Sequence, residues 1–384
     1  MNILFIAGGL EPGHDGVGDY TRHMAAACNS FGHKAYIIAI NDSQIDCVTM
    51  GDFDGVKYIR VPSLLNWSNR WKYSKEFTSK INFEWVSLQF VPYAFNNYGL
   101  FTKFLNGISH LVDGKKLHLN FHEIWIGEYP KAPLKERLVG YFQKKLIKKL
   151  IHRLQPKSIN YSNAGAQSRL KNAEICAHYL PIFSNIPVAL EPEENWIIKR
   201  LLDVGRPLPD NRSDQFIFFG FFGTIHSKWS ARQLLERLRM YTAAKSKRPA
   251  LLHAGLSAKN RNRWKEMQRN YSGDWLIHSF GKLSDEDVSN YLNGLNFGLT
   301  STPWDLLGKS GSVAAMVEHG LPVIVNVEGG TLDAPLILQE DFQRLILRAD
   351  EQLLQKLPAM TRQFPKYGNL SGIAEKFICS LENS

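Results

Sequence analysis

Leu299 to Glu328 reads LTSTPWDLLGKSGSVAAMVEHGLPVIVNVE. The apolar run ending near Thr300 has the character of a buried strand. A loop follows, closed by Gly308-Lys309-Ser310-Gly311-Ser312, and an apolar helix is predicted from about Val313 to His319. Gly320-Leu321-Pro322 breaks that helix ahead of a second buried strand, Val323-Ile324-Val325. Strand, loop, helix and strand in this order form the building block of a parallel α/β sheet. A glycine- and hydroxyl-rich loop that opens a helix presents backbone N–H groups, and the helix dipole favours an anion there. Lys309 adds a full positive charge, so the simplest guest is a phosphate or diphosphate. The loop alone does not decide the matter, because such units also occur in proteins that bind nothing. It is not a Walker loop either: Pro303 stands where that motif requires glycine.

The totals bound the answer. A chain of 384 residues is long enough for two domains with separate cores. Its composition, 44% apolar and 21% charged, is that of a globular protein without low-complexity tracts. Cys28, Cys47, Cys176 and Cys379 are scattered with no metal-ligand spacing, which predicts free thiols in a reducing compartment. The start, MNILFIAGGLEPG, lacks a basic leader and reads as a first strand rather than a signal peptide. No window approaches the roughly 18 apolar residues of a membrane span. The expectation is a cytoplasmic protein, with a surface suited to peripheral contact at the inner membrane face.

A net charge of +10 points to acidic partners such as nucleotides, anionic lipid or nucleic acid. Basic charge concentrates between Lys131 and Lys157, where nine Lys/Arg face the single acid Glu136. Leu134, Leu138, Phe142, Leu146, Leu150 and Leu154 keep one helical face, and Lys144, Lys145, Lys148, Lys149 and Arg153 load the others. Three readings fit: a solvated helix packed on its own domain, an interfacial helix on anionic lipid, or a nucleic-acid contact.

Along the chain, Met1 to Ala7 is a predicted strand. Gly8-Gly9 through Gly16-Val17-Gly18 is a glycine-rich loop, and a helix starts near Asp19. Gly32-His33 ends that helix and Lys34 to Ile40 is the next strand. The spacing is not GxGxxG, so no dinucleotide fingerprint is present. Asp54-Gly55 lies between short β-like runs and reads as a hairpin turn rather than as part of a metal-binding Asp-x-Asp. Strands follow at Glu84 to Phe90, Leu117 to Phe121, Ser158 to Tyr161 and His178 to Leu180, with polar residues just past their ends, where parallel sheets bind ligands. Residues 184–213 carry four prolines and one short helical piece near Trp196. A second α/β unit opens with Phe216 to Phe222 and the turn Gly223-Thr224-Ile225. Ser284 caps a later helix, and Leu353 to Leu381 reads as a helical tail.

Several strings, taken in order, carry a resemblance. They are Asp15-Gly16-Val17-Gly18-Asp19-Tyr20-Thr21-Arg22 with Phe31-Gly32-His33, then Leu88-Gln89-Phe90-Val91-Pro92-Tyr93, Phe121-His122-Glu123, and Pro181-Ile182-Phe183-Ser184-Asn185-Ile186-Pro187. Phe219-Gly220-Phe221-Phe222-Gly223, Ser279-Phe280-Gly281-Lys282-Leu283 and Gly320-Leu321-Pro322-Val323-Ile324 follow. Together these resemble the family 4 retaining glycosyltransferases of the GT-B fold and span nearly the whole chain. The resemblance implies an α/β protein of two doubly wound Rossmann-like domains facing across a cleft. The expected boundaries are 1–187 for an acceptor domain, 188–213 for a linker, 214–362 for a nucleotide-sugar domain, and 363–384 for a terminal helix packing back on the first domain.

The same resemblance implies roles. Gly16 and Gly18 would approach the donor phosphate or the acceptor. His122, with Glu123 beside it, would meet the transferred sugar. Lys228 would neutralise the diphosphate leaving group, and Lys309, which belongs to this chain's own loop and not to the family's pattern, would supply the missing cation. Gly223, Thr224, Phe280, Lys282, Ser310, Gly311 and Ser312 would hold the nucleotide. No metal and no cofactor are expected beyond the nucleotide-sugar substrate, since fixed cations and helix N-termini stabilise the departing charge. The acceptor would be a glycan, a lipid-linked sugar or a small molecule. The chain also departs from the family: the two glutamates expected in the late loop and helix fall on Leu307 and Ala315, and the arginine expected after Gly223 is Thr224. Those departures keep a catalytically silent, nucleotide- or partner-binding protein in view, and the basic charge keeps a nucleic-acid-modifying transferase.

Overall fold

A computed structural model of the chain describes residues 1–129, 132–208, 213–226, 229, 232–255, 261–326, 338, 340–366 and 368–384. The chain divides into two compact units, Met1–Ile182 with Leu370–Ser384, and Phe183–Asn369.

The first unit opens with β1 (Asn2–Ala7), whose NILFIA run is apolar at nearly every position because the strand is buried on both faces. Helix α1 (Gly16–Ser30) follows, then β2 (Lys34–Asp42), β3 (Thr49–Phe53) and β4 (Val56–Pro62). Next come α2 (Trp67–Thr78), β5 (Trp85–Phe90), α3 (Pro92–Phe95), α4 (Thr102–Val112) and β6 (Lys116–Phe121). Helix α5 (Leu134–Leu154), β7 (Ser158–Tyr161), α6 (Ala164–Asn172) and the short β8 (His178–Tyr179) complete the series. The eight strands form one sheet in the order β3-β4-β2-β1-β5-β6-β7-β8. Only β3 runs antiparallel, joined to β4 through Asp54-Gly55. Both turn residues have positive φ, 50° and 77°, as a tight hairpin requires.

The second unit contains α7 (Trp196–Asp203), β9 (Phe216–Phe222), α8 (Arg232–Ala244), β10 (Arg248–Ala254), α9 (Arg261–Tyr271) and β11 (Leu276–Gly281). Then follow α10 (Asp285–Gly294), β12 (Phe297–Thr300), α11 (Gly311–Glu318), β13 (Val323–Val325), α12 (Glu340–Gln343), β14 (Ile346–Arg348) and α13 (Leu353–Lys356). Among the described residues its six strands are all parallel, in the order β11-β10-β9-β12-β13-β14. Ser284 caps α10 as expected, accepting from the Asp287 N–H. Finally α14 (Leu370–Glu382) returns to the first unit and lies on α1, burying Ile373, Ala374, Phe377, Ile378 and Leu381. The Phe377 ring sits 5.8 Å from Phe5 and 5.0 Å from His118.

Three expectations change. Helix α1 begins at Gly16, three residues ahead of Asp19, because the Asp15 carboxylate caps it by accepting from the Val17 N–H at 3.0 Å. The tail is not one helix: α13 gives way to a 3-10 turn at Leu357–Ala359, and helix resumes only at Leu370. Pro358 lacks the N–H that a continuing helix needs, and Pro365 biases Phe364 away from helical geometry. The short helical piece expected near Trp196 is α7, which packs on α10 with Trp196 and Arg200 both bonded to Asp287 at 3.0 Å.

Helix α5 follows its leucine stripe only in its second half, where Leu150 is buried and Leu146 and Leu154 pack against the core; its first half is turned outward. Its buried face is Gly140, Gln143, Ile147 and Leu150, while Leu134, Leu138, Tyr141 and Phe142 are 81%, 60%, 53% and 47% exposed. Gly140 explains the rotation. A Cβ there would lie 1.8 Å from the Ile126 carbonyl oxygen, so the helix packs backbone to backbone at that point. Lys131, at the start of the basic stretch, lies outside the described residues. No helix among the described residues is long and apolar enough to cross a membrane.

Candidate functional site

In the second unit, three neighbouring strands end in glycine turns. The Gly223 N–H after β9 donates to Ala254 O at 2.9 Å, and the Gly255 N–H after β10 donates to Gly281 O at 2.7 Å. Gly223 and Gly255 have φ of 82° and 83°, and a Cβ on Gly255 would lie 3.2 Å from the Gly223 nitrogen. Buried His253 ties the arrangement together, its Nε2–H donating to Gly223 O at 2.9 Å. Burial holds this imidazole's pKa down to about 4, so the ring stays neutral.

The loop after β12 reaches the same place. Ser301 Oγ accepts from the His226 N–H at 2.8 Å and donates to Thr224 O at 3.4 Å. Ser310 caps α11, and its hydroxyl lies 3.2 Å from both Thr302 Oγ1 and Ser312 Oγ. A Cβ added to Gly223 would meet Ser312 Cβ at 3.6 Å, so the glycine turn and the helix start lie within one methyl group's reach of each other. Gly223, Thr224, Ser310, Gly311 and Ser312 are thus brought together at the carboxyl ends of parallel strands, with the first N–H groups of α11 unpaired inside the helix. Lys309 is exposed at the end of the 3-10 turn Trp304–Lys309 that leads into α11. Chemically, the arrangement offers hydroxyls, backbone donors and one nearby ammonium to an anion.

Other predicted residues fall elsewhere. Phe280 is packed among aromatic rings, 5.3 Å from Trp196 and 5.8 Å from Tyr291, and Lys282 is exposed beyond the end of β11. Lys228 lies outside the described residues. Leu307 and Ala315, where the family resemblance calls for carboxylates, are core residues at 1% and 0% exposure. Glu318, one turn later, is buried and accepts from the Ser184 N–H. Burial pushes its carboxyl up to about 8 despite that bond.

In the first unit, His122 stands at the end of β6 with its ring 4.8 Å from Tyr20 of α1. Its partner is not the adjacent Glu123. The His122 Nε2–H donates to Gln89 Oε1 at 2.8 Å, and Asn120 Nδ2 donates to the same oxygen at 3.0 Å. A directed chain continues below. Gln89 Nε2 donates to Ser87 Oγ at 2.8 Å, and Ser87 donates to His118 Nδ1 at 2.9 Å. His118 Nε2 then donates to Asn160 Oδ1 at 2.6 Å, and Asn160 Nδ2 donates to His178 O at 3.2 Å. Each donor in the chain dictates the next, so His122 is held as the Nε2–H tautomer with Nδ1 left as an acceptor. Burial lowers the His118 and His122 pKa values to about 4 and about 3, His118 adding to the second.

Gly18 is buried where α1 crosses the Gly9-Leu10 loop, and a Cβ there would lie 2.6 Å from Gly9 O; Gly16 faces open space. Beside this crossing lies a cavity of about 610 Å³ lined by Gly9, Asp15, Asp42, Trp67, Tyr93 and Tyr98, among others. Arg60 bridges Asp42 at 2.8 Å and Glu11 at 2.6 Å. Burial alone would raise the Asp42 pKa, but the bonds from Arg60, Gln44 and Leu10 outweigh it and hold the carboxyl below its ordinary value. Arg70 binds Asn41 and the Ser63 carbonyl and stacks 4.5 Å from the Trp67 ring centroid. Sequence reading missed this group, although Asn41-Asp42 close β2 and Ser63 and Tyr93 follow the ends of β4 and β5, and position at strand ends is the rule that could have found them.

No protein-family model and no curated protein sequence matches the chain. Sucrose-phosphate synthase from Thermosynechococcus elongatus has a similar structure, with a TM-score of 0.63 at 15% identity over 100% of this chain and 98% of that one. HepE from Anabaena, solved with UDP and glucose, gives a TM-score of 0.56 at 11% identity, with 100% of both chains covered. UDP-GlcNAc 2-epimerase from Methanocaldococcus jannaschii gives 0.54 at 10% identity, again with 100% of both covered. What such likenesses establish is architecture, and the chain has the GT-B fold of two Rossmann-like units.

Proposed function

We propose that the protein is a retaining, metal-independent glycosyltransferase that moves a sugar from a nucleotide-sugar donor to a glycan, lipid-linked or small-molecule acceptor. The observation that carries this is the closeness of the Gly223 turn to Ser312, itself beside Ser310, at the start of α11. It supplies donors and a helix N-terminus for a departing diphosphate, with Lys309 as the added charge. Similar structures were solved with UDP and glucose, which supports a nucleotide sugar as the guest. The Tyr93- and Trp67-lined cavity of the first unit has the aromatic and amide chemistry of an acceptor-sugar site. Bond formation at the anomeric carbon on the face that the diphosphate leaves would retain configuration.

Two further features belong to this reading. The protein is cytoplasmic, and α5 gives it peripheral contact with an anionic membrane. Leu134, Leu138, Tyr141 and Phe142 share the solvent face of α5 with Lys145, Lys148 and Lys149 further along. A silent, nucleotide-binding protein is the second reading, favoured by the apolar burial of Leu307 and Ala315. A panel of nucleotide sugars scored for free-nucleotide release separates the two. For an active donor, Lys309→Ala should lower turnover by at least ~10²-fold, about the loss for one charge-stabilising group. Undiminished turnover would remove Lys309 from the mechanism, and no release with any donor would favour the silent protein.

A further inference from the structure

The second unit holds a larger trough away from the glycine turns. Its volume is about 900 Å³, and Phe216, Arg248 and Leu276, the first residues of β9, β10 and β11, all line it. It therefore lies at the amino ends of strands whose carboxyl ends carry Gly223, Gly255 and Gly281. The length of β9 puts roughly 20 Å between the two ends.

Among the described residues, four cations line the trough, Arg206, Arg248, Lys265 and Arg269, and no carboxylate does. Glu266 and Asp274 are on the same helix and the turn after it, yet neither is among the lining residues. Among the described residues, none of the four cations is ion-paired. Two are held by neutral groups instead. Arg206 Nη1 donates to Ile277 O at 3.0 Å, and the Arg248 guanidinium lies 5.4 Å from the Phe216 ring centroid. Lys245 and Lys247, exposed in the turn before β10, add to the same positive edge. Converging like charges raise the local potential and favour an anion between them.

We infer that this trough is a binding site for an acidic saccharide, one whose units carry carboxylate or phosphate groups. The trough is much larger than a single oxyanion, and its three guanidiniums suit planar or tetrahedral oxyanions by paired N–H donation. Nucleic acid fits less well, because its single-stranded form is held by stacking on exposed rings. Phe216 and Trp275, the aromatic residues of the trough, are each only 4% exposed. The anion site stands on the trough itself; that the anion is a saccharide rests on the glycosyl-transfer reading. Held there, an acidic glycan is gripped at a distance from the chemistry, as a product chain or a primed acceptor would be.

Calorimetric titration of the full chain at low salt tests this with an oligogalacturonate, inorganic tripolyphosphate, a neutral malto-oligosaccharide and single-stranded DNA. The oligogalacturonate should bind, weaken with added salt, and lose affinity about tenfold in the Arg248→Ala/Arg269→Ala double variant, as expected for removing two exposed ion contacts. Arg248→Lys/Arg269→Lys should recover part of that loss, and nucleotide release should be unchanged in both variants. Tripolyphosphate binding with the same variant sensitivity would support phosphate as the charged group. Neutral oligosaccharide binding that the double variant weakens equally would overturn the role of charge. DNA binding that is as tight and as variant-sensitive would overturn the saccharide assignment. No oligogalacturonate binding, or equal binding by the double variant, would overturn the site. Binding with full variant sensitivity alongside no nucleotide release would leave the site standing and the transferase reading fallen.

Discussion

Gln89 controls His122 through a single oxygen. Its Oε1 accepts from both His122 and Asn120, while its amide nitrogen is committed to Ser87. Replacing Gln89 by Leu removes the acceptor and frees the imidazole to change tautomer. The ¹⁵N spectrum of His122 should then show a loss of the Nε2–H form, and nucleotide release should fall roughly 10²-fold, the lower end of what a positioned proton-transfer group contributes. Retention of the Nε2–H form would sink the argument. Glu318 makes a second claim of this kind. Its folded pKa of about 8 lies above the ordinary 4.5, so the folded state holds a proton that the unfolded state has lost. The stability that this proton contributes is full below the ordinary value and is lost as pH rises to about 8. Glu318→Gln should therefore gain on the wild type across that window in urea-unfolding midpoints. A difference that does not change with pH would show that the buried proton is absent.

At the scale of elements, the alternation of strand and helix was legible because buried parallel strands such as NILFIA and FIFFGFF leave little ambiguity. What was not legible is rotation. The leucine stripe of α5 is real in the sequence, but a glycine outranks it: Gly140 can approach Ile126 as no larger residue can, and that contact turns Leu134 and Leu138 outward. The candidate site divides in the same way. Gly223 was readable as a turn and Ser310 to Ser312 as a loop that opens a helix, although the helix starts at Gly311 rather than at Val313. Gln89, Ser87 and Asn160 were not, because a polar residue inside a strand declares its function only when its neighbour across the sheet is known. The outward face of α5 makes its own prediction. Leu138→Glu/Phe142→Glu should lower co-sedimentation with anionic liposomes about tenfold, given the apolar area and charge affected. Neutral liposomes should recover little of either protein. Equal recovery of both proteins from anionic vesicles would discard the membrane contact.

On the scale of the whole molecule, the first unit is discontinuous in sequence. Its sheet is built before residue 183, yet the helix covering Phe5 and His118 comes from Leu370 onward. Deleting residues 370–384 should uncover that face, lower the unfolding midpoint of the first unit, and raise binding of a hydrophobic dye. Unchanged stability would mean that α14 is an ornament on a finished core. The glycine turns and the cationic trough belong to the continuous second unit, so nucleotide and oligogalacturonate binding are the measurements that should survive the deletion.

The position of α14 also sets an order of events during synthesis. A ribosome delivers the eight strands of the first sheet early, then the entire second unit, and only then the helix that seals β1 and His118. For most of translation the nascent sheet carries an open apolar face while its neighbour is free to fold to completion. Domains that fold in order of emergence normally finish the amino-terminal one first; here it is the last to close, and the interval is one in which a chaperone that shields apolar surface has something to hold.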